Sequence, residues 1–182
     1  MLGVIVLGGG KGTRMGGVDK AGVTAHGEAL IDRLYDQLPD NAQPLLVSPY
    51  PHNRPQVVED PPFGGPVAGI AAAVPHLDTE HIAVLAVDAP DSPRMLPRLV
   101  EALTEQDADV AVTVSDDYLQ PLCAVWNADS LRAALERIGD PQNVAAKRLL
   151  RAAASCVEVD GNGYENDVDT PEELAQLPAR ES

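Results

Sequence analysis

Near its start the chain runs an apolar, β-branched stretch, LGVIVL, straight into a glycine-rich segment, GGGKGTRMGGVDK, which ends at Lys20. A strand that ends in glycines narrows the folds available. Glycine lets the backbone turn sharply and approach a ligand closely, and successive N–H groups aimed into one concavity make an anion site. A helix beginning there adds the positive end of its dipole. The same segment holds Lys11, Arg14 and Lys20. Two of the protein's three lysines lie within it, although the formal net charge of the whole chain is -15. An acidic body repels small anions except where cations gather, so this loop is the expected meeting place for phosphate. A tight strand-to-helix turn with no ligand is the alternative.

Further strands are expected at PLLVS, QVVE, HIAVLAV, ADVAVTV, LCAVW and CVEV, each an apolar run rich in β-branched residues. Between them, apolar residues recur at helical spacing: Leu30, Ile31, Leu34 and Leu38; Met95, Leu96, Leu99 and Leu103; Leu131, Leu135 and Ile138. NVAAKRLL also reads as helix. At TPEEL, Thr170 is a natural N-cap, Pro171 suits the first turn and Glu173 completes a capping box. Alternating strand and helix predicts an α/β fold with a largely parallel sheet. HIAVLAV, apolar throughout, reads as a strand buried on both faces.

The chain has 182 residues, enough for one domain with a sizeable core. Aromatic residues make up only 3%, so that core must come mainly from Ala, Val, Leu and Ile. No apolar run approaches the roughly 20 residues of a membrane helix, and no signal peptide is read at the start. The acidic surface argues against nucleic acid as a partner. Cys123 and Cys156 fit no metal spacing and are expected as free thiols in a reducing, cytoplasmic setting.

Two familiar phosphate loops fail on specific residues. G-x-G-x-x-G started at Gly8 meets Thr13, and started at Gly10 meets Met15. A P-loop ending at Gly10–Lys11 would need glycine where Ile5 stands, and Ser or Thr at Gly12. LGGGKGTRMGGVDK instead resembles the signature L-A-G-G-x-x-x-R-M-G-G-x-D-K of molybdenum cofactor guanylyltransferases. EDPPFGGPVAGI, LAVDAPDSP, QPLCAVW and NDVDTPEEL resemble later segments of that family, in the same order along nearly the whole chain.

The resemblance implies a single three-layer α/β/α Rossmann-like nucleotidyltransferase domain over residues 1–177, with 178–182 a frayed tail. It implies transfer of GMP from GTP to the phosphate of molybdopterin, with release of pyrophosphate, Mg²⁺ as cofactor and molybdoenzyme maturation proteins as partners. One anion must then attack another, so catalysis rests on positioning and charge neutralisation. By the same resemblance Leu7, Gly8 and Gly9 line the guanine and ribose side of the nucleotide. Lys20 contacts the phosphates, Arg14 steadies the triphosphate and leaving pyrophosphate, and Asp60 contacts the nucleotide. Asp88, at the end of an apolar strand where α/β sheets bind ligands, holds Mg²⁺. Asp91 and Ser92 are expected to cap the next helix. Asp167 or Asp169 completes the metal site or serves the dipole of the helix that follows.

Lys11 reads equally as ligand or bystander, and Lys147 and Arg148 as a phosphate contact or a solvated helix face. Gly64–Gly65 reads as a turn approaching substrate or as a plain turn. His26, His52, His76 and His81 read as surface or structural, and Trp126 as core. Gly8 replaces the signature's alanine, Ser48 stands where the family often has asparagine, and Asp167 and Asp169 replace asparagines. The change at Gly8 is small, and Gly9 and GPVAGI point toward guanine, while Ser48, Asp167 and Asp169 keep a cytidylyl-type enzyme open. GGGKGTRM also resembles the opening of sugar-1-phosphate nucleotidyltransferases, and a nucleotide-binding domain without chemistry is the remaining rival.

Overall fold

All six residues of β1 (Leu2–Leu7) are buried, because the strand lies inside the sheet with parallel neighbours on both sides. The computed structural model describes residues 1–8 and 19–179, apart from the Lys20 side chain. After β1 come the short β2 (Thr24–Ala25) and β3 (Glu28–Ala29), α1 (Leu30–Asp36), β4 (Ala42–Val47), β5 (Gln56–Val57), α2 (Pro66–Ala73) and β6 (His81–Ala86). The second half comprises α3 (Leu96–Gln106), β7 (Val110–Ser115), β8 (Tyr118–Asn127), α4 (Ala128–Ile138), α5 (Ala146–Arg151), β9 (Cys156–Asp160) and α6 (Pro171–Gln176). Among the described residues the main sheet has seven strands in the order β5-β4-β1-β6-β8-β7-β9.

Successive side chains of a strand point to opposite faces, so β1 serves two cores. Ile5 and Leu7 join Val47, Ile70, Trp126 and Leu131 on one face. Val4 and Val6 join Leu30, Leu34, Leu96 and Leu99 on the other. Helices α1 and α3 therefore cover one face, α2, α4 and α5 the other, and the layering is α/β/α. The helical stripes behave as their spacing requires: Leu96, Leu99 and Leu103 of α3 are all buried. The cap at α6 also forms, with Glu173 N–H donating to Thr170 Oγ1 at 3.1 Å and Thr170 Oγ1 donating to Glu173 Oε1 at 3.1 Å.

The sheet is mostly parallel, but β8 runs antiparallel to both β6 and β7. It leaves β7 through a two-residue turn, Asp116–Asp117, with φ of 50° and 67°. Both residues sit in the left-handed region that such hairpin turns need and that Asp tolerates. The register between the two strands shifts between Val112, opposite Ala124, and Thr113, opposite Gln120. Pro121, Leu122 and Cys123 are the surplus. Pro121 has no N–H to give to a ladder, and a bulge is where a strand can hold it. Strand β8 is thus ten residues long, extending well before the LCAVW run.

Helix α2 was not visible as an amphipathic stripe because PVAGIAAA has no polar face. It is fixed instead by its start: Gly65 at the N-cap has φ of 94°, and Pro66 takes the first helical position. The chain's end is docked as far as it is described. Arg33, only 3% exposed, donates from Nη1 to the carbonyl of Pro178 at 2.7 Å, and His26 Nε2 lies 2.6 Å from the carbonyl of Leu177.

Candidate functional site

Parallel strands β4 and β6 flank β1, and the helices that follow β1 and β5, α1 and α2, pack on opposite faces of the sheet, so a crevice opens beyond the carboxyl end of β1. A cavity of about 420 Å³ occupies that place. Its floor is Leu7, Val47 and Ala86, the last residues of three adjacent strands, with Gly8 just beyond the first. Pro49 and Phe63 wall one side, and Leu122, turned out of the β8 bulge, walls the other. Two carboxylates line it, Glu59 and Asp88. Gly65 and Pro66 bring the start of α2 to its edge.

Gly8 fits because it has no side chain. Its N–H donates to the carbonyl of Val47 at 2.8 Å. A Cβ there would stand 2.8 Å from that same oxygen and 3.1 Å from Ser48 Cβ. The glycine in place of the signature's alanine thus matches a tight approach of β1 to β4. Ser48 is buried beside it, and its Oγ accepts the N–H of Tyr50 at 3.1 Å.

Asp88 is half-buried at the end of β6. Its carbonyl accepts the N–H of the buried Val168 at 2.6 Å. That bond brings the segment carrying Asp167 and Asp169 to Asp88 across 80 residues of sequence. Asp167 is exposed and Asp169 half-buried. Carboxylates are the oxygen donors that a hard divalent cation takes, and it completes its shell with water and phosphate oxygens. Among the described residues no group of three or more His, Cys, Asp or Glu is placed to hold a metal. Burial, with Glu165 and Asp167 adding negative charge, pushes the Cys123 thiol up to about 12 and leaves it unreactive. Both cysteines are free thiols.

Asp60 is exposed and is absent from the cavity wall, while its neighbour Glu59 is part of it. Burial pushes the Glu59 carboxyl above its ordinary value, against the pull of a backbone hydrogen bond. Gly9, Lys11 and Arg14 lie outside the described residues, and Lys20 is described only as backbone, at the start of a 3₁₀ turn, Lys20–Gly22. That turn is held by Asp19, whose Oδ1 accepts the N–H of Ala21 at 3.2 Å and whose Oδ2 lies 2.8 Å from His52 Nε2. His52 therefore braces the last part of the glycine segment, the structural one of its two expected roles, with a partner 33 positions away in sequence.

The expected capping by Asp91 and Ser92 does not occur. Asp91 sits at the N-cap of the 3₁₀ turn Ser92–Met95 but makes no side-chain cap bond. Its oxygens take Arg33 Nε at 2.9 Å and Nη2 at 3.0 Å, with Gln37 Nε2 at 3.0 Å. Burial raises the Asp91 carboxyl, but Arg33 and Gln37 outweigh it and hold the group below its ordinary value. Lys147 and Arg148 are exposed on α5, and Lys147 Nζ stands 5.9 Å from the centre of the Tyr118 ring.

The sequence model of the MobA-like NTP transferase domain matches residues 4–158. The chain is 36% identical over 195 residues to a molybdenum cofactor guanylyltransferase of Ectopseudomonas mendocina, covering 98% of this chain and 94% of the relative. It is 32% identical over 147 residues to one of Shewanella baltica, covering 72% and 74%. Among solved structures, molybdopterin-guanine dinucleotide biosynthesis protein A from Archaeoglobus fulgidus superposes with a TM-score of 0.74 at 22% identity, over 94% of each chain. The 2-C-methyl-D-erythritol 4-phosphate cytidylyltransferase of Thermus thermophilus gives 0.69 at 18%, over 93% of this chain and 94% of the other. No helix among the described residues is long and apolar enough to cross a membrane.

Proposed function

Because the chain belongs to the MobA-like NTP transferase family, and so to the nucleotidyltransferases, we propose that it transfers GMP from GTP to the phosphate of molybdopterin in the cytoplasm. A phosphate oxygen of the acceptor forms a bond to the α-phosphorus of GTP. The bond from that phosphorus to the bridging oxygen breaks, and pyrophosphate leaves with the electron pair. The observation that carries this reading is the cavity beyond β1 and β6, floored by Leu7 and Gly8 and bordered by Asp88. The names of the relatives, molybdenum cofactor guanylyltransferases, support guanine and molybdopterin as the substrates.

The chain's own groups divide the work. Leu7, Gly8 and Gly9 seat the nucleoside, where a missing side chain at residue 8 lets the backbone come close. Asp60, exposed on the loop before α2 and outside the cavity wall, is given no contact with the nucleotide in this reading. Arg14 and Lys20 lower the repulsion between the two anions and hold the leaving pyrophosphate. Asp88 and Asp167 are the residues that would hold Mg²⁺, a pairing supported by the backbone bond from Val168, next to Asp167, to the carbonyl of Asp88. Bound there, the cation would offset phosphate charge. Apolar neighbours such as Phe63 and Leu122 exclude water from the nucleoside end.

The test is pyrophosphate release by the purified chain with Mg²⁺ and molybdopterin, supplied in turn with GTP, CTP, ATP and UTP. Release with GTP is expected. Release with CTP in its place, or only when a sugar 1-phosphate replaces molybdopterin, would overturn the assignment. A thermal-shift series with the same nucleotides gives a second readout, since a ligand of the native state raises its Tm by mass action.

A further inference from the structure

We propose that Glu59 reads the Watson–Crick edge of the base and makes this site choose guanine. The inference rests on the nucleotidyltransferase reading above and names a residue that reading leaves unused.

Four observations carry it. Glu59 lines the cavity on the β5 side, across β1 from Asp88. Its carboxylate is seated against the apolar floor: a Cβ built on Gly69 would lie 3.1 Å from Val47 Cγ1, 3.2 Å from Leu7 Cδ2 and 3.5 Å from Glu59 Oε2. Those three groups therefore meet at one point, where α2 has a glycine and leaves them room. The remaining wall on that side is Pro49 and Phe63, apolar surfaces suited to the faces of a flat ring. Finally, burial already disfavours the charged carboxylate, a cost that a ligand with suitably placed N–H groups offsets.

The chemistry then selects among bases. A carboxylate offers two acceptor oxygens side by side. Guanine presents two adjacent donors on one edge, N1–H and the 2-amino group, and can meet both oxygens. Adenine and cytosine each set a single amino group beside a ring acceptor, and that acceptor would face the second oxygen. Uracil has one N–H between two carbonyls. Only guanine satisfies the pair, and hydrogen bonds to a charged acceptor in an apolar wall are the strong kind.

An amide at residue 59 makes a sharp test. In Glu59→Gln, Oε1 still accepts from N1–H, but Nε2 now donates. It opposes the 2-amino group of guanine and matches the 2-carbonyl of xanthine. Equilibrium binding of GTP, ITP and XTP with Mg²⁺ is measured on the full chain, wild type and Glu59→Gln, with Tm checking that each is folded. Wild type should bind GTP about 10- to 100-fold more tightly than XTP, with ITP between, having lost one of two charged bonds. Glu59→Gln should reverse the order and favour XTP. A variant that weakens all three nucleotides equally, or keeps the wild-type order, overturns the proposal while leaving the transferase reading intact. Wild type that binds CTP but no purine nucleotide, or no nucleotide at all, overturns both. Should Glu59→Gln fail to fold, Glu59→Asp keeps the carboxylate one methylene shorter. It should retain the GTP-over-XTP order, and loss of that order counts against the base contact.

Discussion

Two glutamates in two depressions of the same molecule have opposite uses. Glu165 lies in an open hollow of about 580 Å³ at the β7–β8 turn and the end of β9, with Asp116, Asp117 and Asp160 around it. It is 4% exposed, and its Oε1 accepts the N–H groups of Asn162 at 3.1 Å and Gly163 at 3.0 Å. That oxygen is committed to the backbone of its own loop. Glu59 lies in a smaller, mostly apolar cavity and is raised by burial. Glu165 is held by two N–H groups of its own loop, whereas Glu59 has a backbone hydrogen bond too weak to offset its burial and otherwise stands against apolar walls. That contrast separates the antiparallel edge of the sheet from the parallel half that carries the site.

The largest effect should come from the parallel half. Asp88→Asn is expected to lower turnover by about 10³-fold or more with Tm nearly unchanged, measured as pyrophosphate release. Near-normal release would remove Asp88 from the metal site and dissolve the distinction. Asp91→Asn leaves the buried Arg33 without its carboxylate and should cost about 3 kcal/mol in urea unfolding. The folded Asp91 titrates below its ordinary value, so its contribution is present above the ordinary carboxylate range and is lost as pH falls through the lowered value. The gap between wild type and variant should therefore close in acid.

Gly8→Ala is smaller. Its Cβ would meet the Val47 carbonyl, so about 1–3 kcal/mol of stability and some nucleotide affinity should go together. A variant with unchanged GTP binding would mean that the strand ends yield easily. The finest comparison sets Glu165→Gln beside Glu59→Gln. The first removes a charged acceptor from two N–H groups and should cost about 1–2 kcal/mol with no change in nucleotide choice. The second should not lower Tm at neutral pH. Glu59 has a raised folded value, so wild-type stability is whole at low pH and declines as pH rises through that value. Any advantage of the glutamine should vanish in acid. Equal losses for both variants would break the comparison.

Much of this architecture could be read from residues alone, and particular elements say why. LGVIVL and HIAVLAV had to be interior strands, since only burial on two faces tolerates such runs. The capped start of α6 was visible because Thr170 and Glu173 act locally. By contrast α2 was hidden, being apolar on every side, and β8 was read short because its first half holds Tyr118, Gln120 and Pro121. Asp88 was legible as a carboxylate ending an apolar strand. Glu59 was not, because two acids stand together and the path of the loop before α2 decides which one faces inward. The bracing of Asp19 by His52 and of Arg33 by Asp91 and Pro178 depends on loops meeting in space, which no local pattern records.

The amide of Val168 on the carbonyl of Asp88 has a consequence for how the protein can fail. Among the described residues β9 is the last strand, and Asp167 lies beyond it on a segment that adds nothing to the sheet. Loosening that one backbone bond would therefore leave every strand in place while parting the two carboxylates proposed to share a cation, so a fault there should appear as lost cation binding in a chain that is still folded.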